Sequence, residues 1–166
     1  MTLKISSEVK EDRRQLDSFF RRLESLTTHE VQYGYFEGDT HNESGLDIAY
    51  LAEMLNYGTD TIIARPFMNL AADMVERHFQ VSSRWGKDVW LYLSGTGNIK
   101  QLLKQFGRVG EVSVQGSIDT GNWADNVEWW KQAKFEMYGQ SAPLVASQEL
   151  YDSVSSRVVK DKADGV

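Results

Sequence analysis

The sequence predicts an α+β fold: several helices, including a long N-terminal helix and a proline-initiated central helix, packed on a small, mostly antiparallel sheet. Three observations predict it. Phe67, Leu70, Ala71, Met74, Val75, His78 and Phe79 recur at spacings of three and four, which places them on one helical face as a core seam. Pro66 stands just ahead, where its missing N–H costs nothing and its fixed φ is already helical. The same period runs through Leu16, Phe19, Phe20, Leu23 and Leu26, opposite a charged face. By contrast, Val31–Phe36 and Ser155–Val159 are short runs that hold β-branched residues, and in the first also aromatic ones, and read as strands.

Composition bounds the organisation. A chain of 166 residues with 41% apolar content can bury one core, so 1–160 are expected as a single domain and 161–166 as a flexible C-terminal tail. The absence of cysteine excludes disulfides, thiolate metal sites and a cysteine nucleophile. Met1–Lys4 lead into no apolar signal region, and no run approaches the roughly 18 apolar residues of a membrane span. A soluble protein with no membrane association is expected. The formal charge of −6 argues against nucleic-acid binding. Arg13, Arg14, Arg21 and Arg22 interleave with Glu11, Asp12, Asp17 and Glu24, and read as a solvated, salt-bridged helix face.

In chain order, residues 7–26 form the first helix, with Ser7 as N-cap and its apolar stripe packed inward. The strand 31–36 ends at the turn Gly38-Asp39-Thr40, and His41–Gly45 is a polar loop. The helix 46–57 is apolar on two sides: Leu46, Ala49, Tyr50 and Met54 on one, Ile48, Leu51, Ala52 and Leu55 on the other. A short helix of that kind is either central or shared with a neighbouring subunit. Gly58 is placed to end it in the left-handed conformation. The proline-led helix runs to Trp85 and breaks at Gly86, a further helical piece covers Val89–Leu93, and Ser94–Asn98 is a small loop. Ile99, Leu102, Leu103 and Phe106 mark another helix. Beyond it, Val112, Val114 and Ile118 alternate with polar residues as in a half-buried strand, although Val114 and Ile118 also sit four apart. From Asn122 to Gln140 large aromatics lack a regular period and read as a loop clamped by ring burial, and Ser155–Val159 closes the chain as a strand.

No constellation demands catalysis, a metal or a cofactor. His29, His41 and His78 have no partner at ligand spacing. His41 with Glu43, or Glu37 with Asp39, are the nearest approaches to an acid/base pair, in short polar loops that usually serve only as solvated turns. Gly95-Thr96-Gly97 precedes a helix without a following Lys-Ser/Thr or a preceding apolar strand, and reads as a hinge rather than a phosphate loop.

An ordered set of motifs does carry a resemblance. Tyr33-Gly34-Tyr35-Phe36-Glu37-Gly38 is followed by the helix ending Leu55-Asn56-Tyr57-Gly58, then by Ile63-Ala64-Arg65-Pro66-Phe67. Downstream come Leu103–Gly107, Val114 and Ile118, Gly121-Asn122-Trp123-Ala124-Asp125-Asn126, Lys134, and Ala142–Val154. This succession, across residues 31–159, resembles the neck and tail-completion proteins of tailed bacteriophages. Asn56 stands where that family usually has glutamate, Ile63 where it has proline, and Gln148 where it has glycine. The resemblance implies helix rather than strand for 110–118.

It also implies a function by assembly. Such a protein is expected in the virion, assembled in the host cytoplasm, as a homo-oligomeric ring, with six copies expected. The ring would complete or terminate the head-proximal end of the tail, beside head-connector and tail-tube or tail-terminator proteins. Genome DNA would pass through without specific binding, past an acidic lumen rather than one lined by the Arg13–Arg22 cluster. A closed ring needs two different patches that meet head to tail. The candidates are Leu46, Tyr50, Met54, Tyr57, Arg65 and Phe67 around the over-apolar helix, and Trp123, Trp129 and Trp130 in the tryptophan segment. Arg65, ahead of a helix N-terminus whose dipole opposes its charge, is expected to pair with a carboxylate or to meet a neighbouring subunit. The competing classes are a small soluble hydrolase and an α+β interaction domain outside any virion.

Overall fold

The computed structural model describes residues 5–144 and 148–160, with side chains from residue 13 onward. The elements are α1 (Ile5–Thr27), β1 (His29–Gly34), α2 (Ile48–Tyr57), α3 (Phe67–Val81), α4 (Ser83–Leu93), α5 (Ile99–Thr120), α6 (Glu128–Tyr138), the short α7 (Glu149–Asp152) and β2 (Ser155–Lys160). β1 and β2 pair antiparallel, from His29 opposite Lys160 to Gly34 opposite Ser155, so the two strand segments join the ends of the fold. The architecture is α+β, as the sequence predicts.

The helix α5 is the axis. It packs on α3, α4 and both strands, and it runs unbroken through 110–118, where alternation points to a strand and the resemblance to a helix. The reason lies in which residues it buries. Gly107, Gly110, Ser113 and Ser117 are buried beside Val114 and Ile118, while Val112 is exposed. A face made of glycine and serine is invisible to an apolar count. Its small residues let the sheet lie close: a Cβ at Gly110 would overlap the Tyr33 ring, and one at Gly107 would overlap Ser156.

The core joins Ile48 and Ala52 of α2, Phe67 and Ala71 of α3, Val114 and Ile118 of α5, and Leu144, Leu150 and Val154 near the C-terminus. The proline-led helix ends at Val81, before the expected break, and α4 carries Gly86 inside it. His78 is on the exposed side of α3 and sets its ring edge to face with Phe79 and tilted against Trp85, outside the seam proposed for it. Ser7 falls within α1 and does not cap it. Gly58 does end α2, but at φ 79 and ψ 174, outside the left-handed helical well. The chain doubles back so tightly that a Cβ there would sit 2.9 Å from Ala64 N and Ile62 O.

The largest departures concern the first helix and the tryptophan segment. Leu16 and Phe20 are more than half exposed and Leu23 is exposed as well, so most of the stripe expected to pack inward faces outward. Instead α1 leans on α4, where Arg22 Nη1 donates to Leu93 O at 3.1 Å rather than to an acidic neighbour on its own helix. The segment read as an irregular loop contains α6, closed by Gly139 in the left-handed conformation at φ 70. Its inner face is Trp130, Lys134 and Tyr138, at spacings of four. A buried lysine between the aromatics hides that period. The expected tail at 161–166 lies outside the described residues, as does Val145.

Candidate subunit interface

Of the nine candidate residues, Arg65, Phe67 and Trp123 turn inward, Leu46, Tyr50, Tyr57 and Trp129 are exposed, and Met54 and Trp130 are half-buried. Phe67 is fully buried and Arg65 is 5% exposed, so both belong to the inside of the subunit. Phe67 meets Tyr35 edge to face, with ring centroids 6.1 Å apart. Arg65 Nε donates to Ala124 O at 2.9 Å, and Nη2 donates to Asn126 Oδ1 at 3.0 Å and more weakly to Asp125 O at 3.4 Å. The guanidinium therefore reaches backbone carbonyls and an amide, where a carboxylate pair was expected. Burial pulls its pKa down, and the Asp125 charge partly opposes that.

The start of α3 explains why Arg65 is held there. Pro66 supplies no side-chain cap, and Met68 N–H is satisfied from the neighbouring helix by Asn56 Oδ1 at 2.9 Å. Asn56 Nδ2 then donates to Asn69 Oδ1, which explains a polar residue buried in α2. Trp123 is half-buried as well: its indole N–H donates to Ser117 O at 3.1 Å across the end of α5. Three stretches far apart in sequence are thereby bound into one polar seam.

The exposed set lies on α2, at Leu46 just ahead of it, where the sequence places the helix start, and on α6. Tyr57 and Trp129 are each 72% exposed, Tyr50 is exposed, and Leu46 is marginally so. Asp47 caps α2 by accepting from Ala49 and Tyr50 N–H, and a third bond, from Gly38 N–H at 3.1 Å, ties the preceding turn to it. Those bonds hold the Asp47 carboxyl below its ordinary range. With Ile48, Ala52 and Asn56 inward, Tyr50 and Tyr57 necessarily face out. Leu51 and Leu55 on the flank of α2 line a groove of about 420 Å³ with Ile62, Ile63, Val127, Trp129 and Trp130. The two candidate patches are thus neighbours on one apolar surface. Sequence reasoning missed the other such surface, the Leu16, Phe20 and Leu23 stripe of α1, because an amphipathic stripe gives no sign of whether it is covered.

No family model, curated protein or solved structure matches this chain.

The loop expected to hold an acid/base pair has different partners from those expected. His41 Nδ1 meets Ser44 Oγ at 3.0 Å, and His41 Nε2 lies 3.3 Å from Glu149 Oε2. Glu43 is on the rim and pairs with neither. Asn42 donates to the same Glu149 carboxylate through its backbone and its side chain. Ser44 N–H also points at His41 Nδ1, at 3.3 Å, so the imidazole nitrogen that would act as base already accepts from the main chain. This arrangement fastens the loop to α7. Among the described residues no cluster of His, Asp and Glu has the form of a metal site, and no helix is long and apolar enough to cross a membrane.

Proposed function

We propose that this chain is a structural subunit of a tailed-bacteriophage neck, which assembles head to tail into a ring that completes the head-proximal end of the tail and joins it to the head connector. The observation that carries the reading is the meeting of the resemblance motifs: Arg65 of one binds the Ala124-Asp125-Asn126 segment of another. Lys134 of a third donates to Ala142 O at the head of the last. Gln148, where the family has glycine, takes φ 65, a conformation that favours glycine. Motifs that close on one another in this way form one structural unit, as a shared subunit fold requires.

Assembly follows from the two separate apolar surfaces. The α1 stripe and the α2/α6 groove belong to different elements, and a head-to-tail contact needs two unlike patches. Phe20→Asp blocks one and Trp129→Asp the other. Each variant alone is expected to remain monomeric in sedimentation velocity at concentrations where the parent forms rings visible by negative-stain microscopy. Mixed, they retain one unaltered contact per pair and should give a dimer that grows no further. A mixture that stays monomeric, or variants that still form rings, would overturn the assignment of these faces.

A second reading, a hydrolase, draws on the Ser44, His41 and Glu149 array. It requires turnover of an activated ester that Ser44→Ala abolishes.

A further inference from the structure

We propose that the cavity between α2 and α6 is a binding site for a carboxylate attached to an apolar body. It encloses about 170 Å³ and is lined by Arg65, Lys134 and Asn126 on one side and by Leu51, Leu55 and Trp130 among its apolar walls. Lys134 is 3% exposed and Arg65 5%, and among the described residues no carboxylate is buried with them. A buried cation without a counter-charge is costly, and two together more so. Lys134 Nζ has three protons and, among the described residues, one acceptor, Ala142 O at 2.6 Å. Arg65 commits Nε and Nη2 to the 124–126 segment, leaving Nη1 with no hydrogen bond among the described residues.

The nearby acids do not fill the role. Asp125 is largely exposed and is held by Lys131 at 2.9 Å, and Glu43 lines the cavity without pairing with either cation. Burial and the Arg65 charge both push the Lys134 pKa down, as expected of an ammonium whose counter-ion is missing. Two cations lining one cavity can offer a carboxylate one donor for each oxygen. The leucine and tryptophan walls match a hydrocarbon body and offer little to a fully hydrated anion such as phosphate.

The test is calorimetric titration and thermal unfolding of the full chain with benzoate, against benzyl alcohol of the same shape and inorganic phosphate. Saturable stabilisation by benzoate is expected, with both controls at least about tenfold weaker. Lys134→Met should weaken benzoate about tenfold or more. Should that variant fail to fold, Asn126→Asp serves in its place, because it sets a carboxylate against Arg65 and should weaken benzoate similarly while preserving the fold. Benzoate that also disperses assembled protein identifies a neighbouring chain's carboxylate as the natural occupant. Benzoate that binds without dispersing it identifies a free small carboxylate. Equal binding of benzyl alcohol or phosphate, or undiminished benzoate affinity in a folded variant, would overturn the site.

Discussion

Replacing Arg65 with methionine removes the guanidinium and keeps most of the side-chain volume. Of its three hydrogen bonds, those to Ala124 O at 2.9 Å and Asn126 Oδ1 at 3.0 Å are sound, and the one to Asp125 O at 3.4 Å is weak. A hydrogen bond to a charged group contributes about 1.5–3 kcal/mol. Two effects offset part of the loss: Ala124 lies at the surface, so its carbonyl can find water, and a buried charge is removed. The net destabilisation is about 2–4 kcal/mol, a large share of the roughly 5–15 kcal/mol that holds a domain folded. At this chain length that is a fall in Tm of roughly 5–15 °C. Arg65→Lys keeps the charge but loses the fork, and should cost about half as much. Urea unfolding followed by tryptophan fluorescence gives both values, and a double-mutant cycle with Asn126→Ala should show a coupling of about 1 kcal/mol or more. An R65M variant as stable as the parent, or a coupling near zero, would refute the view that this arginine fastens the 124–126 segment.

The helix glycines should respond in opposite directions. Gly110→Ala drives a methyl into Tyr33 and should cost about 1–3 kcal/mol, whereas Gly86→Ala, with nothing near the new methyl, should gain about 0.5–1 kcal/mol, both measured by thermal unfolding. Lys134 has a folded pKa below its ordinary 10.5, so between the two values the unfolded chain holds the extra proton and stability rises with pH. The parent should therefore gain on Lys134→Met as pH rises toward the ordinary 10.5; Tyr35, whose pKa burial raises, is common to both proteins and cancels from the comparison. Asp47 follows the same rule in the acid range: its folded pKa is lowered, chiefly by the Gly38 N–H, so its stabilisation is present above the ordinary 3.8 and is lost as pH falls through the folded value, and Asp47→Asn should flatten the acid limb of the stability curve.

What the sequence disclosed and what it hid differ by the kind of face each element buries. The strands, expected at 31–36 and 155–159 and found at His29–Gly34 and Ser155–Lys160, and the helix from Phe67 announce themselves because β-branched runs, and a proline ahead of an apolar period, are local signals. The course of α5 past Gly107 was hidden because its contact face is small rather than apolar, and α6 because its inner face has Lys134 at the centre. Periodicity reports hydrophobicity, and at these two places burial does not follow it. The outward stripe of α1 failed for a different reason: amphipathicity shows that a helix has a face, while only the rest of the fold shows whether anything covers it.

The same distinction separates the residues that carry the resemblance from those offered for assembly. Arg65, Phe67 and Lys134 are buried, and Asn126 is held by Arg65, so the contacts they make lie within the subunit. Tyr50, Trp129 and Phe20 are exposed, and among the described residues their side chains hold no other part of the subunit in place by hydrogen bonding. A chain can therefore keep the seam that joins α2, α3 and α6 while its outer aromatics change with the partner they meet. Substitutions in the seam should lower stability and assembly together. Substitutions at Trp129 or Phe20 should remove assembly and leave the unfolding midpoint of the isolated subunit within about 0.5 kcal/mol of the parent. If Trp129→Asp instead unfolded the monomer, the groove would belong to the core of the subunit and the ring contact would have to be sought elsewhere.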